Sequence, residues 1–162
     1  MFRIGFGYDS HRFAPARRLV LGGVAIDFDD GLAGHSDADA VLHAITDAVL
    51  GAIGEGDIGE HFPDSDPAWK SAESSVFLRH AVKLATDLGF VVVNCDVIVL
   101  AERPRLAPYK AAMRRSIAGL LATGPAAVAV KAKTNEGMGF IGRGEGIAAL
   151  AAVLLAQGGR RQ

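Results

Sequence analysis

Asp9-Ser10-His11 together with His43 is the grouping in this chain best suited to hold a metal ion. Side chains two apart in an extended segment project from the same side, so Asp9 and His11 can grip one ion as a pair, and His43 can complete the set from a helix. Two imidazoles and a carboxylate suit zinc, and three protein ligands leave the fourth position to substrate, which is the arrangement of a catalytic site. Asp39 and Asp47, each four residues from His43, are both able to hold its outer ring nitrogen. A plainer account of the same residues is a chance D-x-H triplet and a surface histidine.

Three other groupings carry chemical meaning. Gly34-His35-Ser36-Asp37 stands at an expected helix start, where free backbone N–H groups and the positive end of the helix dipole favour an anion; the alternative is that Ser36 is only a cap. Lys131 to Glu136 runs into the glycine-rich Gly137–Gly146, where Gly137, Gly139 and Gly142 match G-x-G-x-x-G. A dinucleotide-binding turn is rejected, because the last 20 residues hold one more helix but not a further strand and its ribose-binding acid. A flexible loop flanked by Lys131, Lys133 and Arg143, with Thr134 and Glu136, suits phosphates and a hard cation. Finally, Gly56–Gly59 and Phe62–Pro67 place Asp57, Asp64 and Asp66 on a connection long enough to act as a lid, where carboxylates can meet sugar or polyol hydroxyls. His61 can join that site, whereas His80 and Cys95 read as structural.

The elements that must position these groups follow from pattern. Phe2–Tyr8 reads as a strand whose Gly5 and Gly7 admit another backbone or a ligand. Leu19–Leu21 and Val24–Phe28, joined by Gly22-Gly23, read as a β-hairpin. Ser36 is the expected N-cap of a helix with an apolar stripe at Val41, Ile45, Val49 and Ile53, ended by Gly54 and Gly56. Glu73–Leu88 is expected as a second helix, Phe90–Leu100 as a strand, Pro108–Leu121 as a helix with Lys110, Arg114 and Arg115 on one face, Ala127–Thr134 as a strand, and Ile147–Gln157 as a last helix. This predicts one α+β domain over residues 1–162: a mixed sheet packed against helices on one face, with an N-terminal hairpin that favours the mixed sheet.

Composition excludes several function classes. Lys and Arg number 17 against 18 Asp and Glu, a net charge of -1, which gives no field for a nucleic-acid backbone. No apolar run approaches the ~20 residues of a membrane span, and no signal-peptide order begins the chain. A single cysteine allows neither an internal disulfide nor a thiolate zinc cluster, so a cytoplasmic protein is expected, with no nucleic-acid or membrane partner. At this size a core forms without staples, so any metal is expected to work rather than to hold the fold. Glycine, 20 of 162 residues, is in excess and calls for local reasons.

Taken in order, Asp9-Ser-His11, His35-Ser-Asp37, His43, Gly56-Asp-Ile-Gly59, Phe62-Pro-Asp64 and Gly139-Phe-Ile-Gly-Arg-Gly-Glu-Gly146 resemble the 2-C-methyl-D-erythritol 2,4-cyclodiphosphate synthase family over nearly the whole chain. The resemblance implies cyclisation of 4-diphosphocytidyl-2-C-methyl-D-erythritol 2-phosphate with release of CMP, in non-mevalonate isoprenoid synthesis, by a homotrimer with sites between subunits. It implies Asp9, His11 and His43 as zinc ligands, Glu136 as the ligand of Mg2+ or Mn2+, and His35 and Thr134 as transition-state stabilisers. Substrate contacts would come from Ser10, Ser36, Asp57, Ile58, Gly59, Phe62, Pro63, Asp64, Ser65 and Asp66. Lys133 and Asn135 would contribute too, and Ala101, Pro104, Arg105, Leu106, Ala107 and Ala132 of a neighbouring subunit would frame the cytosine. Phe140, Arg143 and Glu145 are similar to residues lining a cavity on the trimer axis, the place for an isoprenoid diphosphate. The chain departs from the family pattern at Lys133, where some relatives carry a small hydroxyl residue, and at Arg105 and Leu106. Two rivals stand beside this reading: a metal-dependent phosphohydrolase, and a trimeric small-molecule sensor with a structural zinc.

Overall fold

The computed structural model describes residues 1–63 and 65–158 of the chain; Asp64, expected on the lid, lies outside them. The organising strand is β1 (Phe2–Pro15), longer than its aromatic start suggests, and it pairs antiparallel with β7 (Gly146–Gln157) from Phe2 opposite Ala156 to Arg12 opposite Gly146. On its other side β7 pairs antiparallel with β5 (Phe90–Leu100), and β6 (Val128–Lys133) lies parallel to β5. β4 (Asp30–Leu32) pairs with Phe13–Pro15, which completes a five-stranded sheet in the order β4-β1-β7-β5-β6. The sheet is mixed, as expected, but because β6 runs parallel to β5; β2 (Leu19–Leu21) and β3 (Val24–Ile26) form a separate two-stranded hairpin. Gly22 and Gly23 turn that hairpin at φ +60 and +73, the left-handed pair that a two-residue turn requires.

The expected final helix is the correction of largest consequence. Residues Gly146–Gln157 form the central strand β7, hydrogen-bonded along both edges. Alanine favours helix intrinsically, but a chain buried between two strands satisfies its backbone in the ladders and needs small side chains under a packed helix. Burial alternates from Ala149 to Ala156, a period of two that the uninterrupted apolar sequence conceals.

Helices cover one face of the sheet. α1 (Ala40–Ile53) lies on β1 and β7, α3 (Ser74–Asp87) on β5, and α4 (Lys110–Leu120) beside β6. Between the layers sit Ile45, Val49, Leu78, Val97, Val99, Ile117 and Val153, all buried. α2 (Ile58–His61) and α5 (Gly139–Gly142) are single turns in the two connections that the sequence marks as chemical. The contact of α1 with β1 is backbone to backbone: a Cβ on Gly5 would stand 1.7 Å from the Ala48 carbonyl oxygen, and one on Gly7 would stand 1.9 Å from that of Ala44. The glycines thus admit another backbone, one of the two uses expected of them. Among the described residues no helix is long and apolar enough to cross a membrane.

α1 begins at Ala40, and its N-cap is Asp39 rather than Ser36. The fully buried Asp39 carboxylate accepts hydrogen bonds from the N–H groups of Val41 and Leu42 in the helix and of Gly22 (2.8 Å) and Gly23 (2.6 Å) in the hairpin turn. Burial pushes its carboxyl up to about 6 despite these donors. One side chain therefore caps the helix and ties the hairpin to it. Asp39→Ala would leave buried N–H groups without acceptors, and we expect it to cost roughly 2–4 kcal/mol of stability, read from urea unfolding midpoints.

Candidate metal centre and substrate cavities

Asp9 and His11 leave β1 on the same side as Gly5 and Gly7, the side that faces α1, and His43 projects from the first turns of that helix. His43 Nδ1 lies 3.0 Å from Asp9 Oδ2, His11 Nε2 lies 2.9 Å from the same oxygen, and the two ring nitrogens are 3.1 Å apart. Tetrahedral zinc, with bonds of about 2.0–2.1 Å to such ligands, spaces its donor atoms about 3.3 Å apart, close to the spacing of these three. The donor set fits a divalent metal in type, number and convergence. Burial opposes the charge on Asp9, but hydrogen bonds from His11 and His43 and their positive charge hold its carboxyl well below the usual range, in the form that ligates. Burial favours neutral His43, and the Asp9 carboxylate more than offsets this, so its ring titrates above the ordinary value.

The outer nitrogen of His43 is held differently from either expectation. Asp39 is used by the helix cap and hairpin, and Asp47 accepts the Ile58 N–H at 2.8 Å; burial raises the Asp47 carboxyl. His43 Nε2 instead meets Ser74 Oγ at 2.8 Å and Ser36 Oγ at 3.2 Å. Ser74, absent from the sequence reading, is fully buried at the start of α3. Nothing in its local sequence marks it, because its partner lies 31 residues away.

A cavity of about 270 Å³ opens above the triad, with Gly34, His35 and Ser36 on one side and Ile58, Gly59 and Phe62 on the other. The expected lid is less free than its composition suggests. Asp57 caps α2 by accepting the Glu60 N–H, Asp66 caps the turn Pro67–Trp69, and the buried Phe62 ring packs 4.5 Å from Phe77 and edge-on to Trp69. Pro63 and Ser65 are exposed beside it. His61 donates from Nε2 to the Glu55 carbonyl and packs at a tilt against His80, which in turn packs edge-on to Phe62. Ser10 is not brought to the cavity; it is exposed, and the strand alternation turns it to the other face. Cys95 is buried, and burial pushes its thiol up to about 12, which leaves it unreactive.

Eight of the remaining expected residues, Ala101, Pro104, Arg105, Leu106, Ala107, Ala132, Lys133 and Thr134, line a second concavity of about 220 Å³ together with Glu102, and Asn135, Glu136, Phe140 and Arg143 lie outside its lining. Thr134 Oγ1 donates to Glu136 Oε1 at 2.8 Å, so Glu136 belongs with this second group. Glu102, also missed in the sequence, fixes the loop: its Oε1 accepts the N–H groups of Asn135 (2.8 Å) and Gly137 (3.3 Å). The glycine loop is folded rather than open, because α5 brings Gly142 against the Gly137 backbone, where a Cβ would fall 2.1 Å from a carbonyl carbon. Phe140 is exposed, and Arg143 pairs with Glu145 at 2.6 Å. Each chain thus carries two separate groups of candidate residues, the triad cavity and the Ala101–Glu136 concavity.

Fold and site together define a single-domain α+β protein with a candidate metal centre at the floor of a surface cavity. The sequence profile described as the YgbB family matches residues 2–156, and the chain belongs to that family. It is 58% identical over 153 residues to a protein of Symbiobacterium thermophilum named 2-C-methyl-D-erythritol 2,4-cyclodiphosphate synthase, covering 94% of this chain and 98% of the relative. It is 57% identical over 150 residues to the bifunctional enzyme IspD/IspF of Erythrobacter litoralis, covering 93% of this chain but only 39% of that longer protein. The solved structure of IspF from Plasmodium falciparum in complex with CDP superposes with a TM-score of 0.85 at 34% identity, over 98% of this chain and 97% of that one.

Proposed function

We propose that the chain is a cytoplasmic homotrimeric enzyme that converts 4-diphosphocytidyl-2-C-methyl-D-erythritol 2-phosphate to 2-C-methyl-D-erythritol 2,4-cyclodiphosphate and CMP. The observation that carries this reading is the convergence of Asp9, His11 and His43 under the His35-Ser36 rim, in a chain so similar to proteins named for that reaction. An oxygen of the 2-phosphate attacks the β-phosphorus, a new P–O bond closes the ring, and the bond from the β-phosphorus to the oxygen bridging it to the α-phosphorus breaks with CMP as leaving group. A phosphate monoester, with its second pKa about 6, is already mostly dianionic at neutral pH, so no protein base is required.

The obstacle is repulsion, about 4 kcal/mol per pair of unit charges 4 Å apart at an effective dielectric near 20. Zinc held by Asp9, His11 and His43, and Mg2+ or Mn2+ held by Glu136, would supply positive charge at the diphosphate. The chain's own share is donors and orientation. Ser36 and the backbone around Gly34 would offer hydrogen bonds to phosphate, and His35 and Thr134 would stabilise the charge that builds as the ring closes. Lys133 adds a cation, while Asp57, Gly59 and Asp64 suit hydroxyls of ribose and methylerythritol. Fixing a flexible substrate so that its phosphates align can contribute roughly 7–11 kcal/mol.

Two features support the trimer. The sheet face turned away from the helices is apolar and bare: Phe2, Ile4 and Phe6 are 71%, 77% and 65% exposed, which is a surface for association. The two groups of site residues also occupy different concavities of one chain, as expected if the triad of one subunit meets the Ala101–Glu136 face of the next. Phe140 and Arg143 would then border the axial cavity suited to an isoprenoid diphosphate. Incubation of the zinc- and magnesium-loaded protein with the diphosphocytidyl substrate, followed by product identification, tests the function. CMP plus a cyclic diphosphate is expected, and release of inorganic phosphate would instead indicate a hydrolase.

A further inference from the structure

We infer that Ser74 and Asp37 are positioning residues of the metal centre, which fix His43 in the one tautomer able to ligate through Nδ1. The inference rests on the reading of Asp9, His11 and His43 as metal ligands. Asp37 Oδ1 accepts both the hydroxyl and the backbone N–H of Ser74, the former in a short contact and the latter at 3.2 Å. A serine hydroxyl has a single hydrogen, and an ionised carboxylate can only accept, so the Ser74 hydrogen is committed to Asp37. Toward His43 Nε2, 2.8 Å away, Ser74 Oγ is left as an acceptor. Nε2 therefore keeps its hydrogen, so Nδ1, which donates to Asp9 without a metal, is the nitrogen that would give up its hydrogen and ligate.

The arrangement is built rather than incidental. Ser74 is fully buried and Ser36 is 5% exposed, and Ser36 Oγ already accepts the Ala38 N–H while standing 3.4 Å from Ser74 Oγ. Asp37 is itself fixed by donating its backbone N–H to the Ala72 carbonyl. It joins the start of α3 to the segment before α1, and it lines a different cavity from the triad, one it shares with Arg18, Glu73 and Arg79. The orientation of a ligand on one helix is thus set by the end of another.

Zinc affinity, measured by competition with a chromophoric chelator, tests this, with the melting temperature of the metal-free protein as control. Ser74→Ala should bind zinc about 10–100-fold more weakly than the parent, the usual effect of losing a residue that orients a metal ligand. Asp37→Ala frees the serine hydroxyl to donate to Nε2 and should weaken zinc about tenfold. Asp37→Asn retains an acceptor oxygen and should stay within about threefold of the parent. Should Ser74→Ala fail to fold, the two Asp37 variants decide, because that residue is only half-buried. Unchanged affinity in Ser74→Ala, or equal affinity in Asp37→Ala and Asp37→Asn, would overturn the inference while leaving the triad intact. A parent protein that binds no zinc would overturn the metal reading itself.

Discussion

His11→Ala should abolish zinc binding and lower kcat/KM by roughly 10³-fold or more while the protein stays folded. The asymmetry follows from where His11 sits. Its pairing with Ile147 is made by backbone, and its ring lines the cavity outside the buried apolar core, so truncation opens little of the core. What it removes is one of three donors, together with one of the two rings that keep the Asp9 carboxyl ionised. Two remaining ligands do not make a closed enough set to retain the ion. Metal content by plasma emission, far-UV circular dichroism and turnover of the diphosphocytidyl substrate would be read together. Full activity in a variant without zinc would remove the triad from the mechanism.

A second large effect is expected at a residue with no side chain. Gly7→Val would place carbon within 2 Å of the Ala44 carbonyl oxygen, with further methyls beyond it, so α1 must lift off β1. Overpacking a core costs about 1–3 kcal/mol when side chains can give way; here the obstacle is backbone, and a loss of about 3 kcal/mol or more is expected from denaturant titration. Zinc affinity should fall with it, because His43 rides on the same helix that the new side chain displaces. Gly51→Ala is the matched control. It lies on the exposed side of α1 with nothing near its missing Cβ, and by reducing the freedom of the unfolded chain it should stabilise by about 0.4–1 kcal/mol. If the two variants behaved alike, the close approach of helix and strand would not be what holds the site.

The parts legible in the sequence were those written in residue type or local period. The convergence of Asp9 and His11 could be read because residues two apart on a strand share a side, though a chance triplet has the same spacing, and the outlines of α1, α3 and β5 follow from apolar stripes and glycine stops. β7 was illegible for a physical reason: every face of a central strand under a helix is apolar, so a period of two leaves no trace, and alanine's helical preference fills the gap. The cap of α1 reads wrongly as Ser36, because Asp39, an equally good cap three residues on, is distinguished by hairpin donors from Gly22 and Gly23 that lie far back in the chain. Ser74 and Glu102 escaped because each acts across more than 30 residues of chain on groups that local spacing cannot reveal. The division of the expected site residues between two concavities was likewise invisible in their order along the chain.

The backbone contact between β1 and α1 also bears on redesign. Two of the three donors are anchored to one side of that contact and the third to the other, with only glycine and alanine between. The separation of the two backbones that carry the donors is therefore fixed by main chain, while the orientation of the His43 ring is left to Ser74 and Asp37. If the proposed metal centre holds, the side chains at positions 9, 11 and 43 can be exchanged for other donors without moving the main chain that spaces them.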